Sequence, residues 1–426
     1  LTPKGFRNKE EQVATESFSR FTGRILAVLA TLLMLAGEAY AASERVIYSF
    51  TGGADGGYPD SDLVMDRAGN LYGTTVEGGL GSGTVFKLTQ SGNAWTETVL
   101  YAFKGGEDGA QPYGGVTLDL QGNIYGTTVV GGLSIGPCVD SGCGVVFKLT
   151  NCGGIWTEAV IHSFTGGHDG YGPGAGLTFD RHGNLYGMTP TGGANGLGVV
   201  YQLKPGANGT WQESVIHAFT GDDDGASASA GRLILDTAGN LYGVATTGGA
   251  NDDGTAFELR PTPSGWRFKT LYAFEGDPYP GYPYGALAFD SSGNLYGTTY
   301  YGGANDLGSV YELSPAGGLW TETVLYSFKG GTDGSSPISN VVFDDKGNVY
   351  GTTSEGGAGQ CSCGTVFKLT RGSSGTWTET VVHSFKGAPD GGFVYNGMIR
   401  GPAESFFGTT VHGGIYNEGS VYQFAP

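Results

Sequence analysis

The sequence predicts an all-β protein, a seven-bladed β-propeller of four-stranded antiparallel blades, and three observations carry that expectation. A motif, Gly69-Asn70-Leu71-Tyr72-Gly73-Thr74-Thr75, returns at Gly122, Gly183, Gly239, Gly293 and Gly347, with a worn copy at Phe406–Thr410. Its aromatic residue falls at 72, 125, 186, 242, 296, 350 and 407, in steps of 53 to 61 residues, and a fixed period of this size marks a repeat architecture. Each unit holds four short β-type runs parted by Gly, Asp and Asn turns, and no stretch after the first 41 residues shows a helical period. Finally, the chain ends on a third strand, Ser420–Phe424. The missing fourth strand is supplied by Val46–Phe50, whose pattern matches Val381–Phe385. The N-terminal strand is therefore expected to close the last blade, which protects edges that would otherwise pair with other chains.

In chain order, residues 1–41 read as a signal peptide. Lys4, Arg7, Lys9, Arg20 and Arg24 form a basic leader, Ile25–Leu35 is an apolar run too short to span a bilayer, and Ala39-Tyr40-Ala41 is a cleavage site. Residues 42–426 are expected to form the propeller. In the first unit, the run ending at Asp66 is inner strand A and Leu71–Thr75 is strand B. Thr84–Leu88 is strand C, and Trp95–Phe103 is outer strand D. The tryptophans Trp95, Trp156, Trp211, Trp266, Trp320 and Trp377 each open a D strand and are expected to pack between blades. Gly73 and its equivalents sit inside a strand, where glycine marks a bulge or the close approach of a backbone or ring. Asp66, Asp119, Asp180, Asp236, Asp290 and Asp344 each precede a Gly-Asn pair, with two residues between, and are expected to bond their own turn.

With Gly-Gly-x-Asp-Gly ahead of it and Gly-Thr-Val-Phe-Lys-Leu and Trp-Thr-Glu-Thr-Val-Leu-Tyr-Ser-Phe behind it, the motif resembles the GloVer tandem repeat of exported bacterial proteins. The resemblance covers residues 44–426. It implies a propeller and an exported location, secreted or periplasmic, and it implies no activity. Many members carry C-terminal surface anchors, and none is expected here. More loosely, strands A and B look like those of NHL-type propellers, some of which are lyases, but fold does not settle function.

The formal charge is −18, with 40 acidic against 22 basic residues. This argues against nucleic acid or an anionic membrane as partner. A glycan or an extracellular protein is the expected partner, with the protein a monomer that makes no membrane contact after cleavage. A site should lie where the copies differ, on the face holding the D–A and B–C loops. Tyr58, Tyr113, Tyr171, Tyr279, Tyr282, Tyr284, Tyr300 and Tyr301 supply flat apolar faces with a hydroxyl, suited to sugar rings. His168 and His412 are the histidines expected on that face, whereas His162, His217 and His383 replace a strand D tyrosine and read as packing residues. No cofactor is expected, except that Asp222, Asp223, Asp224, Asp252 and Asp253 could offer oxygen ligands to Ca²⁺. Their alternative role is a solvated acidic patch.

No nucleophile elbow, phosphate loop or metal-protease motif occurs. The expected function is an exported, non-enzymatic binding or scaffold propeller. The alternative is a carbohydrate-active hydrolase or lyase, drawing a carboxylate pair from Asp55, Asp108, Asp169, Asp224, Asp333 and Asp390, or using His168 or His412. Disulfides are expected at Cys138–Cys143 and Cys361–Cys363, with Cys152 left over.

Overall fold

The Gly-Asn turns and the apolar runs between them set the strand boundaries. In the first blade, strand A (Val64–Met65), strand B (Leu71–Thr75), strand C (Thr84–Ser91) and strand D (Ala94–Ala102) pair in that order. The computed structural model describes residues 43–228 and 231–426, and the targeting segment expected at 1–41 lies outside them. Seven such antiparallel sheets form a ring. The seventh is completed by Ser43–Ser49 pairing beside Ser420–Ala425, so the chain is a seven-bladed β-propeller closed by this N-terminal strand. Arg45 tightens the closure by donating from Nε and Nη2 to Oε1 of Gln423, at 3.0 and 2.8 Å.

The A–B turns are built by the expected aspartates. Oδ1 of Asp66 accepts from the backbone N–H groups of Ala68 and Asn70, both at 2.9 Å. Its Oδ2 accepts from the Asn70 amide and the Tyr72 hydroxyl. The arrangement recurs at Asp119, Asp180, Asp236, Asp290 and Asp344.

Glycine inside strand B makes room for a ring. A Cβ at Gly73 would stand 2.6 Å from Cζ of Phe86 on strand C. The same pairing recurs at Gly126 with Phe147, Gly187 with Tyr201, Gly243 with Phe257, Gly297 with Tyr311, Gly351 with Phe367 and Gly408 with Tyr422. Each of these rings meets, edge-on, the phenylalanine that ends strand D of the preceding blade. Centroid separations run from 5.0 Å for Phe50–Phe86 to 5.6 Å for Phe219–Phe257. The tryptophans complete the seams by packing on the strand B aromatic of the preceding blade, as Trp95 does on Phe407 and Trp266 on Tyr186. The core is accordingly seven clusters, one per seam.

The seams also bury carboxyl groups. Glu97, Glu158, Glu213, Glu322 and Glu379 on D strands, and Glu44 on the closing strand, each keep Oε1 buried without a hydrogen-bond partner. Burial, then the charge of the preceding loop's aspartate, pushes Glu97 (by Asp55), Glu158 (by Asp108) and Glu379 (by Asp333) up to about 7. Burial carries Glu322 to about 7 as well, with a Tyr272 hydrogen bond opposing and Glu275 adding, and burial and Asp390 push Glu44 up. At the seam of blades 3 and 4, Phe268 stands in this position and stacks on His217 at 3.9 Å.

Gly73→Ala should destabilise the protein by about 1–3 kcal/mol through overpacking against Phe86. Gly106→Ala, whose Cβ meets nothing within 4 Å, should be near neutral; urea unfolding midpoints compare the two. The glutamates, protonated more readily in the folded state, contribute stability that is fully present below their unfolded value of 4.5 and lost as pH rises through about 7. Asp66, Asp169, Asp180 and Asp344, held below 3.8, contribute in the opposite sense and lose their effect in acid. Calorimetric Tm should therefore peak between about pH 4 and 7 and fall on the alkaline side. Combining E97Q, E158Q, E322Q and E379Q should flatten that alkaline fall, and an unchanged slope in the combined variant would remove the glutamates as its cause.

Candidate functional site

The D–A loops carry the chain from the rim of one blade to the inner strand of the next. Six of the seven hold an aspartate that folds back on its own loop. Oδ2 of Asp55 accepts from the Tyr48 hydroxyl and the Thr51 N–H, both at 3.0 Å. Tyr101 donates to Asp108 and Tyr326 to Asp333. His217 bonds Asp224 at 2.9 Å, and His162 and His383 stand 3.4 Å from Asp169 and Asp390. These six carboxylates shape loops, and none lines the cavity described below.

Each loop then passes through a residue in the left-handed region: Tyr58, Gln111, Ser227, Tyr282, Ser336 and Phe393, with φ between 53° and 58°, and Gly172 in the seventh. Six non-glycine residues hold a conformation that costs on the order of 1 kcal/mol or more each. Each turn is clamped, because the N–H of that residue donates to a carbonyl in the preceding blade's B–C loop, as Tyr58 does to Glu418 at 2.8 Å and Phe393 to Cys363 at 2.9 Å. Past this clamp the residues reach the axis. Inner strands there approach so closely that glycine is required: a Cβ on Gly115 would lie 2.8 Å from the Asp62 carbonyl oxygen, and one on Gly114 2.6 Å from that of Ala175.

The result is a cavity of about 510 Å³ at the axis, lined from every blade of the ring. Asp60 and Asp62 come from the loop into blade 1, Tyr113 from that into blade 2, and Tyr284 from the inner strand of blade 5. Asn340 enters from the loop into blade 6, and Phe393, Tyr395 and Asn396 from that into blade 7. Tyr300 and Glu355 close it from the ends of B strands. Oδ1 of Asp60 accepts from the Asn396 amide at 2.8 Å, and Oδ1 of Asp62 accepts from the Gly397 N–H at 3.2 Å. Arg232 of blade 4 brings Nε to 4.0 Å from Oδ2 of Asp62, spanning the ring. Asp60 is pushed above the usual carboxylate range by burial and by Asp62, against the Asn396 hydrogen bond and the His412 charge. Tyr113, Tyr284 and Tyr395 are raised by burial and then by Asp60, so their phenols remain protonated donors at neutral pH.

The profile of the Gloeobacter/Verrucomicrobia repeat matches residues 135–358 and 260–426, together more than half of the chain. The protein belongs to this repeat family. No curated protein matches the sequence. Among solved structures, this repeat protein is similar to a gluconolactonase from Xanthomonas campestris, at 14% identity over 66% of this chain and 78% of that one, with a TM-score of 0.39. It is also similar to a candidate oxidoreductase (glucose dehydrogenase) from Thermus thermophilus, at 18% identity over 73% and 95% of the two chains and TM-score 0.44. A protein of unknown function from Dyadobacter fermentans shares 12% identity over 80% and 98%, with TM-score 0.44. Likenesses at this level carry no argument about activity.

Within the repeat protein's ring, Tyr113, Tyr284 and Tyr300 line the axial cavity, while Tyr282 and Tyr301 line a second hollow of about 310 Å³ with Asp253, Asp277 and Asp306. Tyr58 and His412 stack edge-on at 5.2 Å, and His412 backs the cavity wall by meeting Phe393 at 5.4 Å. Tyr171 packs half-buried against the cluster holding Cys138 and Cys143. Tyr279 and His168 are exposed, and neither lines either of these two hollows. The chain between Gly276 and Tyr284 is strand from Pro280, part of Pro280–Phe289 paired to Leu295–Gly302. Strand A is the free inner edge, where proline's missing N–H is tolerated.

The five aspartates expected as calcium ligands are not gathered. Asp224 is taken by His217 and Thr220, Asp252 accepts from the Gly248 N–H, and Asp253 faces the second hollow. Among the described residues, the only set of three or more His, Cys, Asp or Glu ligand atoms within 4.8 Å of one another is Glu44, His383 and Asp390. Asp60, Asp62, Glu355, Tyr395 and Asn396 were missed from sequence. The D–A members among them share one signal: they occupy the few positions just before strand A, where otherwise regular repeats differ most.

Both expected disulfides, Cys138–Cys143 and Cys361–Cys363, are formed, and Cys152 is free and exposed. No helix among the described residues is long and apolar enough to cross a membrane. A thiol-alkylating probe under non-reducing denaturing conditions should label Cys152 alone, with four further cysteines labelled only after reduction. Peptide mass spectrometry checks both the count and the pairing.

Proposed function

We propose that this propeller is an exported binding module whose ligand site is the axial cavity, and that the ligand is a sugar residue, such as the accessible end of a glycan. The cavity carries this reading. It falls within the size range of small-ligand sites, about 300–1,000 Å³. Its wall combines the flat faces of Tyr113, Tyr284, Tyr300 and Tyr395 with the amides of Asn340 and Asn396 and the carboxylates of Asp60 and Asp62. Aromatic faces suit the C–H side of a pyranose, and convergent donors and acceptors suit its hydroxyls. The disulfides support a secreted or periplasmic location, since such bonds persist in oxidising compartments. The aspartates expected to serve a hydrolase are occupied in shaping loops, which favours binding over turnover.

A glycan array followed by calorimetry on the hits, using the full chain, tests this reading. Tyr284→Ala and Tyr395→Ala should each weaken binding about two- to tenfold, the worth of one aromatic contact. A ligand bound equally well by both variants would place its site elsewhere, and released product in the same samples would replace binding with hydrolysis or elimination.

A further inference from the structure

We infer that the axial cavity selects a positively charged ligand, an alkylammonium group of the kind carried by an amino sugar. The inference rests on the cavity being the binding site, but not on the ligand being a sugar. Three carboxylates line it: Asp60, Asp62 and Glu355. Arg232 stands 4.0 Å from Asp62, and His412 is the other basic group that acts on Asp60. Asp60 has the neutral amide of Asn396 as its hydrogen-bond partner. A carboxylate withdrawn from water without a counter-ion is unfavourable, and a cationic ligand would supply what is missing.

The other half of the wall is aromatic. Tyr113, Tyr284 and Tyr395 line the same cavity as Asp60, reaching it from three other blades. They remain 36–38% exposed, with ring surface open to a ligand, and Tyr300 and Phe393 extend the same wall. Carboxylates beside open aromatic rings are the chemistry that holds ammonium groups. A bare metal ion fits less well, because Asp60, Asp62 and Glu355 do not bring ligand atoms within 4.8 Å of one another. Anionic sugars such as uronates would be repelled by all three carboxylates. The protein's formal charge of −18 would further concentrate cations at its surface.

The experiment is calorimetry with the full chain at about pH 6.5, in low salt and in about 0.5 M salt, where exposed charges are screened. Glucosamine, N-acetylglucosamine, glucose and tetramethylammonium are the probes. Glucosamine should bind about tenfold or more tightly than N-acetylglucosamine, the worth of one ion pair shielded from water, and added salt should erode the difference. Asp60→Asn, which keeps an oxygen to accept from Asn396, should abolish the preference for glucosamine over N-acetylglucosamine. Exposed Glu355→Gln should reduce the preference and serves if Asp60→Asn does not fold. Neutral sugars binding as well as glucosamine, with Tyr284→Ala weakening them, would overturn the charge selection and leave the sugar site standing. Tetramethylammonium binding without any sugar would sustain the cation and remove the sugar. No binding by any probe would overturn both.

Discussion

Between every pair of neighbouring blades, an aromatic ring from strand C lies over a glycine of strand B and meets a phenylalanine from the blade before. Phe86 over Gly73 against Phe50 is one instance, and Tyr422 over Gly408 against Phe385 is the last. A side chain on that glycine would lift the ring, and the ring could no longer reach its neighbour. The contact thus joins packing within a sheet to packing between sheets, and each edge-to-face pair contributes about 0.5–1.5 kcal/mol beyond its buried area. Because Phe50 belongs to the closing strand, the seam between the last blade and the first has the same chemistry as the others.

This division of labour leaves the inner edge free. Stability resides in the seams, so residues at the axis need only let inner strands approach, which Gly114 and Gly115 do. The remaining axial positions are open to variation, and there the protein places Asp60, Tyr113, Tyr284 and Tyr395. The backbone strain at Tyr58, Tyr282 and Phe393 is sustained by hydrogen bonds to the preceding blade. Strained residues held by their surroundings just before a cavity are a recurrent feature of functional sites.

Carboxyl groups serve three separate purposes. The Asp66 series ties A–B turns, and the Asp55 series ties D–A loops while meeting buried glutamates across the seams. Asp60 and Asp62 alone, from one loop, face the axial cavity together with Glu355. The first two sets recur with the repeat and are structural. The third breaks the repeat. Sequence regularity therefore separates structural aspartates from the others, and Asp224, which belongs to the recurring D–A series, is held by His217.

The number of blades, the strands of each, the closing role of the N-terminal strand, the aspartate-tied turns and both disulfides were legible in the sequence. All depend on contacts that are local or that repeat with a fixed period, and such patterns are legible in one dimension. The grouping of residues at the axial cavity, by contrast, exists in the closed ring alone. Asp60 and Asn396 are 336 positions apart, and they meet because closing the ring sets the first blade beside the last. Tyr284 and Arg232 reach the same axis from the far side of the ring. Which residue of each loop reaches the axis follows from the left-handed turn before it, a backbone state that Tyr, Gln, Ser and Phe do not announce in sequence.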